Sequence, residues 1–204
     1  MNNERDQTIE VVLFDMGGVL VQLGDLATEL GVADMSSQQF WDRWLTSPSV
    51  RALERGDGTV DGFADGLIAE FGLALERQEV ITRFAAVTRG LFPGAVEMVR
   101  SVPDHVRTGL LSNTNEVHWE TQPGAETMQG LCQHEFLSFR LGLMKPDRDI
   151  FEYVIADLGT EAQHILFIDD NMMNVDGARA AGLCSELAKG PQEAAAVLSG
   201  YGLG

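Results

Sequence analysis

The sequence predicts an α/β fold, a doubly wound parallel sheet interrupted by an all-helical insertion, and three observations carry that prediction. Short apolar segments rich in β-branched residues recur along the chain, and each delivers polar residues at its carboxyl end. Amphipathic helical patterns lie between them. The stretch from Leu23 to Leu91 shows helical periodicity alone.

The run Ile9 to Phe14 is apolar almost throughout, which suits a strand buried on both faces of a parallel sheet, and it stops at Asp15, followed by Gly17 and Gly18. Thr108 to Leu111, ending at Ser112, and Ile165 to Ile168, ending at Asp169 and Asp170, share that design. Helices are predicted over Ala95 to Val102, over Ile150 to Leu158 with Gly159 as the cap, and over Met173 to Ala181 before Gly182. In doubly wound sheets ligands bind beyond the carboxyl ends of the strands, where these polar tips converge.

Within the insertion, Ser36 with Gln39 forms a capping-box pattern, and Phe40, Trp41, Trp44 and Leu45 follow as an apolar stripe. Ser47 and Pro48 restart a helix that Gly56 closes. Thr59 can cap the next, whose Val60, Phe63, Leu67, Ile68 and Phe71 recur at helical spacing. Val80, Ile81, Phe84 and Ala85 supply the last stripe. The domain division this predicts is a core of residues 1–22 and 92–204 with an insertion of residues 23–91.

The 204 residues suffice for one core domain with a modest insertion. A formal net charge of -17 disfavours nucleic acid or an anionic membrane surface as a partner and leaves a small molecule. Cys132 and Cys184 have no metal-knuckle or redox spacing. The polar start MNNERDQTIE lacks the basic and apolar regions of a secretory signal, and no apolar run approaches the roughly 20 residues of a membrane helix, so a cytoplasmic location is expected. Monomer and homodimer both remain open.

Four constellations carry chemistry. Asp15-Met16-Gly17-Gly18 places a carboxylate at a strand end before glycines whose amides can approach an anion, so Asp15 can attack phosphorus while the backbone cradles the phosphate; a loop cap is the alternative. Ser112-Asn113-Thr114-Asn115 offers donors after a buried strand, or a plain turn. Lys145, fixed beside Pro146 and Asp147, can neutralise a phosphate or lie solvated on the surface. Asp169 and Asp170, with Asn171, Asn174 and Asp176 behind them, place two mutually repelling carboxylates at a strand tip, which a hard cation such as magnesium would relieve.

In this order the four resemble the motifs of the haloacid dehalogenase superfamily, over nearly the whole chain. The chain looks most like the branch with a helical cap between the first and second motifs, and like its bacterial sugar-phosphate phosphatases of the glucose-1-phosphate type. The resemblance implies a Rossmann-like core and a magnesium-dependent phosphohydrolase acting on a small phosphorylated metabolite through an aspartyl-phosphate. Asp15 would be the nucleophile. Asp15, the Gly17 carbonyl, Asp169 and Asp170 would hold magnesium, with Asn174 behind them. Met16, Gly17, Gly18, Ser112, Asn113 and Lys145 would hold the phosphate, Ser112 and Lys145 also serving catalysis.

One departure matters. Most phosphatases of this superfamily carry a second aspartate two residues after the nucleophile, as general acid and base, and here that position is Gly17. An activated leaving group or a donor such as His118 would fill the gap. Two rival readings follow: a metal-independent 2-haloacid dehalogenase, whose fourth motif carries Ser and Asn where this chain keeps Asp169 and Asp170, and a non-catalytic binding protein of the same fold. Arg43, Arg51 and Arg55 of the insertion are candidates to meet a substrate's polar end.

Overall fold

The computed structural model describes residues 8–32 and 35–204, the side chains of residues 37 and 38 excepted, so residues 1–7 of the polar start read for a targeting signal lie outside the described residues. The strands are β1 (Val11–Phe14), β2 (Val21–Leu23), β3 (Thr88–Leu91), β4 (Arg107–Ser112), β5 (His134–Leu137), β6 (Ile165–Asp169) and β7 (Cys184–Leu187). Five of them form one parallel sheet in the order β5-β4-β1-β6-β7. The central strand is the apolar run predicted to be buried on both sides. Its residues alternate faces, Val12 and Phe14 packing into one hydrophobic cluster and Val11 and Leu13 into another.

Helices cover both faces. In chain order they are α1 (Leu26–Glu29), α2 (Ser37–Thr46), α3 (Pro48–Glu54), α4 (Val60–Phe71), α5 (Arg77–Ala85), α6 (Ala95–Arg100), α7 (Glu116–Thr121), α8 (Ala125–Met128), α9 (Ser138–Leu141), α10 (Arg148–Leu158), α11 (Met172–Ala180) and α12 (Gly190–Gly200). Side chains of α6, α7, α8 and α12 fill one face of the sheet, and those of α10 and α11 fill the other. Among the described residues no helix is long and apolar enough to cross a membrane.

Helices α1 to α5 fall between β2 and β3 and pack Phe40, Trp44, Leu53, Phe63, Leu67 and Phe84 into a cluster of their own. The caps read from sequence form: Ser36 and Gln39 close a capping box, Ser47 accepts from the Val50 amide, and Thr59 from the Gly62 amide. The absence of strand between Leu23 and Leu91 is corrected at the ends, because β3 pairs antiparallel with β2. Both are too short, with Gln22, Arg89 and Gly90 among them, to show an apolar run. The edge strands β5 and β7, buried at only part of their length, escape the same reading.

The register positions the chemistry. Phe14 pairs with Leu110 on one side and Ile168 on the other, so the next residue, Asp15, emerges level with Asp169, and its amide donates to the Ile168 carbonyl at 2.8 Å.

Helices α3 and α4 meet at Gly66, where a Cβ would lie 1.8 Å from Ser49 Oγ and 2.6 Å from Ser49 Cβ. Gly66→Ala should therefore lower stability by about 1–3 kcal/mol, against the gain of about 1 kcal/mol that alanine brings to an open helical site. Thermal melts decide it, and Ser49→Gly in the same chain should recover most of the loss.

Candidate active site

Lys145 is 1% exposed, and its Nζ donates to Asp15 Oδ1 at 2.7 Å and to Asp169 Oδ2 at 2.6 Å. Burial alone would push its pKa down, but the two carboxylates outweigh burial and hold it above the ordinary lysine value. Its backbone is gripped by Asn113, whose Oδ1 accepts from the Lys145 amide and whose Nδ2 donates to the Lys145 carbonyl, both at 2.8 Å. Asp169, fully buried, also accepts from the Asn171 amide at 2.8 Å and from Asn174 Nδ2 at 3.0 Å. The second Asp15 oxygen, Oδ2, has no protein donor among the described residues.

One lysine does not balance three acids. Asp15, Asp169 and Asp170 each present an oxygen within 4.8 Å of the others. Burial first, and then the neighbouring carboxylates, push Asp15 up to about 7 against the opposing pull of Lys145, and push Asp170 up to about 6. Gly18 has φ +75°, and a Cβ there would fall 2.2 Å from Asp170 Oδ2, so only glycine lets the loop approach this carboxylate. The Gly17 carbonyl accepts no hydrogen bond among the described residues. Uncompensated carboxylates beside an unpaired carbonyl are an oxygen-only donor set that suits a magnesium ion.

The residues expected around the phosphate divide. The amides of Met16 and Gly17 have no partner among the described residues, whereas the Gly18 amide donates to the Val21 carbonyl at 2.9 Å. The Asn113 side chain is spent on Lys145. Ser112 is 1% exposed at the tip of β4, and only a long 3.4 Å contact to the Asn113 carbonyl engages its Oγ. Arg51 and Arg55 both donate to Asp147 Oδ2 at 2.7 Å, and Arg43 donates to the Glu70 carbonyl while lying over the Phe71 ring. Burial lowers the pKa of His118, whose Nε2 contacts the Phe84 carbonyl at 2.8 Å and whose Nδ1 faces Asn115 Nδ2 at 3.3 Å. Both of its nitrogens are engaged.

A cavity of about 570 Å³ opens over these strand tips. Asp15, Gly17, Asn113, Lys145 and Asp170 form its polar part, and Leu23, Trp41, Trp44, Met172 and Met173 an apolar wall. Sequence reading missed several polar lining residues, Asp42, Thr88, Lys189 and, at the end of α3, Glu54. Burial raises its pKa to about 7, opposed by Lys145 and Arg51. A single glutamate in an amphipathic helix carries no sequence signal that separates it from a solvated one.

Asp170 gives a testable charge balance. Its folded pKa of about 6 exceeds the ordinary 3.8, so its ionisation costs stability progressively as pH rises from about 4 to about 6 and by a constant amount above. Asp170→Asn should stabilise the metal-free protein by roughly 1–3 kcal/mol at pH 8 and hardly at all near pH 4. Denaturant titrations at the two pH values check the sign.

Comparison with known proteins supports the fold and assigns the family. Over 178 residues the chain is 26% identical to a D-ribitol-5-phosphate phosphatase of Bacteroides thetaiotaomicron, covering 82% of this chain and 85% of that protein. Over 188 residues it is 26% identical to a sesquiterpene phosphatase of Aspergillus oryzae, covering 86% and 88%. A HAD family enzyme from Bacteroides thetaiotaomicron, solved in complex with magnesium and inorganic phosphate, shares the fold with a TM-score of 0.70 at 22% identity, over 89% of this chain and 94% of that one. The family model for haloacid dehalogenase-like hydrolases matches residues 9–182, and the chain belongs to that family.

Proposed function

We propose that the protein is a magnesium-dependent phosphohydrolase that cleaves a small phosphate monoester through an aspartyl-phosphate on Asp15. The observation that carries this reading is the set of three carboxylates and one buried lysine at the strand tips, facing a cavity of about 570 Å³. Asp15 and Asp170, with the Gly17 carbonyl, would hold magnesium directly, and Asp169, its oxygens already engaged by Lys145 and Asn174, would reach it through water. When bound, magnesium would offset the charge of the phosphate and of the nucleophile.

The chain's own residues do the rest. Lys145 holds Asp15 by Oδ1, which leaves Oδ2 to attack phosphorus as the ester P–O bond breaks. The free amides of Met16 and Gly17, with Lys145, meet the phosphate oxygens. Water then attacks the aspartyl-phosphate, releasing phosphate and restoring Asp15. The helical insertion acts as a cap, excluding bulk water and choosing the leaving group. The paired acids Asp169 and Asp170 favour this reading over a metal-free dehalogenase, and the unbound Asp15 oxygen favours it over a non-catalytic protein.

The leaving group is a sugar or polyol in the first reading, which the similarity to a D-ribitol-5-phosphate phosphatase supports. The apolar wall favours a second, an ester of a largely hydrocarbon alcohol. Trp41, Met172 and Met173 are 41, 46 and 48% exposed there, and the similarity to a sesquiterpene phosphatase points the same way.

Phosphate release is measured from sugar, polyol, prenyl and aryl monophosphates, with magnesium and with a chelator. Release should require magnesium and fall at least ~10³-fold in Asp15→Asn. The ranking of kcat/KM between sugar and prenyl esters separates the two leaving groups. Halide release from a 2-haloacid without metal, and no phosphate release, would replace the reading by the dehalogenase.

A further inference from the structure

We propose that Glu54 is the proton donor and acceptor of the reaction, acting from the helical insertion in place of the acid absent at position 17. The inference rests on the phosphatase reading above.

Position 17 carries no acid, and its surroundings are apolar. A Cβ on Gly17 would meet Leu23 Cδ1 at 3.0 Å, so a side chain there would crowd an apolar neighbour that must give by a few tenths of an ångström. Glu54 lines the same cavity as Asp15, Gly17, Lys145 and Asp170 but comes from α3 rather than from the sheet. In an in-line displacement the leaving oxygen lies on the side of phosphorus away from the nucleophile. A group brought by the insertion is placed to meet it.

The Glu54 carboxylate is uncommitted. Among the described residues it makes no hydrogen bond or ion pair, and the two cations that act on it are engaged elsewhere, Lys145 by Asp15 and Asp169 and Arg51 by Asp147. Burial holds it near 7, where the acid and its conjugate base are both available at neutral pH. Other candidates are weaker: His118 has both nitrogens engaged, and Asp42, the other insertion acid lining the cavity, is exposed. The helix that carries Glu54 is anchored by Arg51 and Arg55 to Asp147 and by the Ser47 cap at its start.

Each half-reaction balances. As Asp15 forms its bond to phosphorus and the ester P–O bond breaks, protonated Glu54 gives its proton to the leaving oxygen, releasing the alcohol. The resulting carboxylate then takes a proton from water as that water attacks phosphorus, the Asp15–phosphorus bond breaks, and phosphate leaves with Glu54 protonated again.

The test compares Glu54→Gln with wild type on an alkyl phosphate and on p-nitrophenyl phosphate, whose leaving group departs without a proton. The alkyl ester should lose about 10²- to 10³-fold in kcat/KM and the aryl ester less than about tenfold, the aryl rate also showing that the variant is folded. Equal losses on both esters, or no loss on either, overturn the assignment of Glu54 while leaving the phosphatase standing. The phosphatase is checked separately by Asp15→Asn on the aryl ester, and a wild type inert on every ester overturns both readings.

Discussion

The structure turns on one buried cation. Lys145 lies between Asp15 at the tip of β1 and Asp169 at the tip of β6, and its main chain is held by Asn113 just beyond β4. Three neighbouring strands are thereby tied at their carboxyl ends through one side chain. Removing a single partner from a buried ion pair costs about 3–5 kcal/mol because the other charge is left unmatched. The arrangement also needs the sheet register to be correct to the residue, since a slip of one position would turn Asp15 into the apolar layer. Fold and chemistry are specified by the same pairing.

The pair does not complete the charge balance. Asp170 adds a third carboxylate that forms no ion pair among the described residues, although Lys145 and Lys189 act on it, and Gly18 brings the loop backbone against it at a distance no side chain would permit. Burial first and the neighbouring carboxylates second raise the pKa values of Asp15 and Asp170, and a divalent cation would offset both. A site built for stability alone would replace one of these acids. Keeping all three places a cost on the folded protein that a bound cation would offset, a pattern common where local stability and activity pull apart.

How much was legible in the sequence follows from how each feature is encoded. β1, β4 and β6 are interior strands, and their continuous apolar runs ending in Asp15, Ser112 and Asp169 are visible without any knowledge of partners. The edge strand β7, Cys-Ser-Glu-Leu, buries one face in part and so leaves no run to find. β2 and β3 form only because the ends of the insertion are brought together. The same limit governs the site. Asp15, Lys145, Asp169 and Asp170 announce themselves by their place at strand tips, whereas Glu54 reaches the cavity through the packing of α3 on α4, and Arg51 and Arg55 find Asp147 across more than 90 residues of chain. Nothing local marks such contacts.

Those long-range contacts also explain how an insertion can take part in chemistry. Asp147 stands at the N-cap position of α10 yet makes no capping hydrogen bond to its own helix. A side-chain cap there would contribute about 1 kcal/mol, and the carboxylate is instead given to Arg51 of α3 and Arg55 at its C-cap. Across the cavity His118 of α7 donates to the Phe84 carbonyl of α5 and packs tilted against its ring, with centroids 4.1 Å apart. The insertion is thus fastened by two contacts that each use a residue adjoining a segment of the site. One fastening starts two residues after Lys145 and the other lies on the helix that follows Asn113. A displacement of Lys145 or Asn113 would be felt at α3 and α5, so the insertion's side of the cavity is coupled to the side built from the sheet.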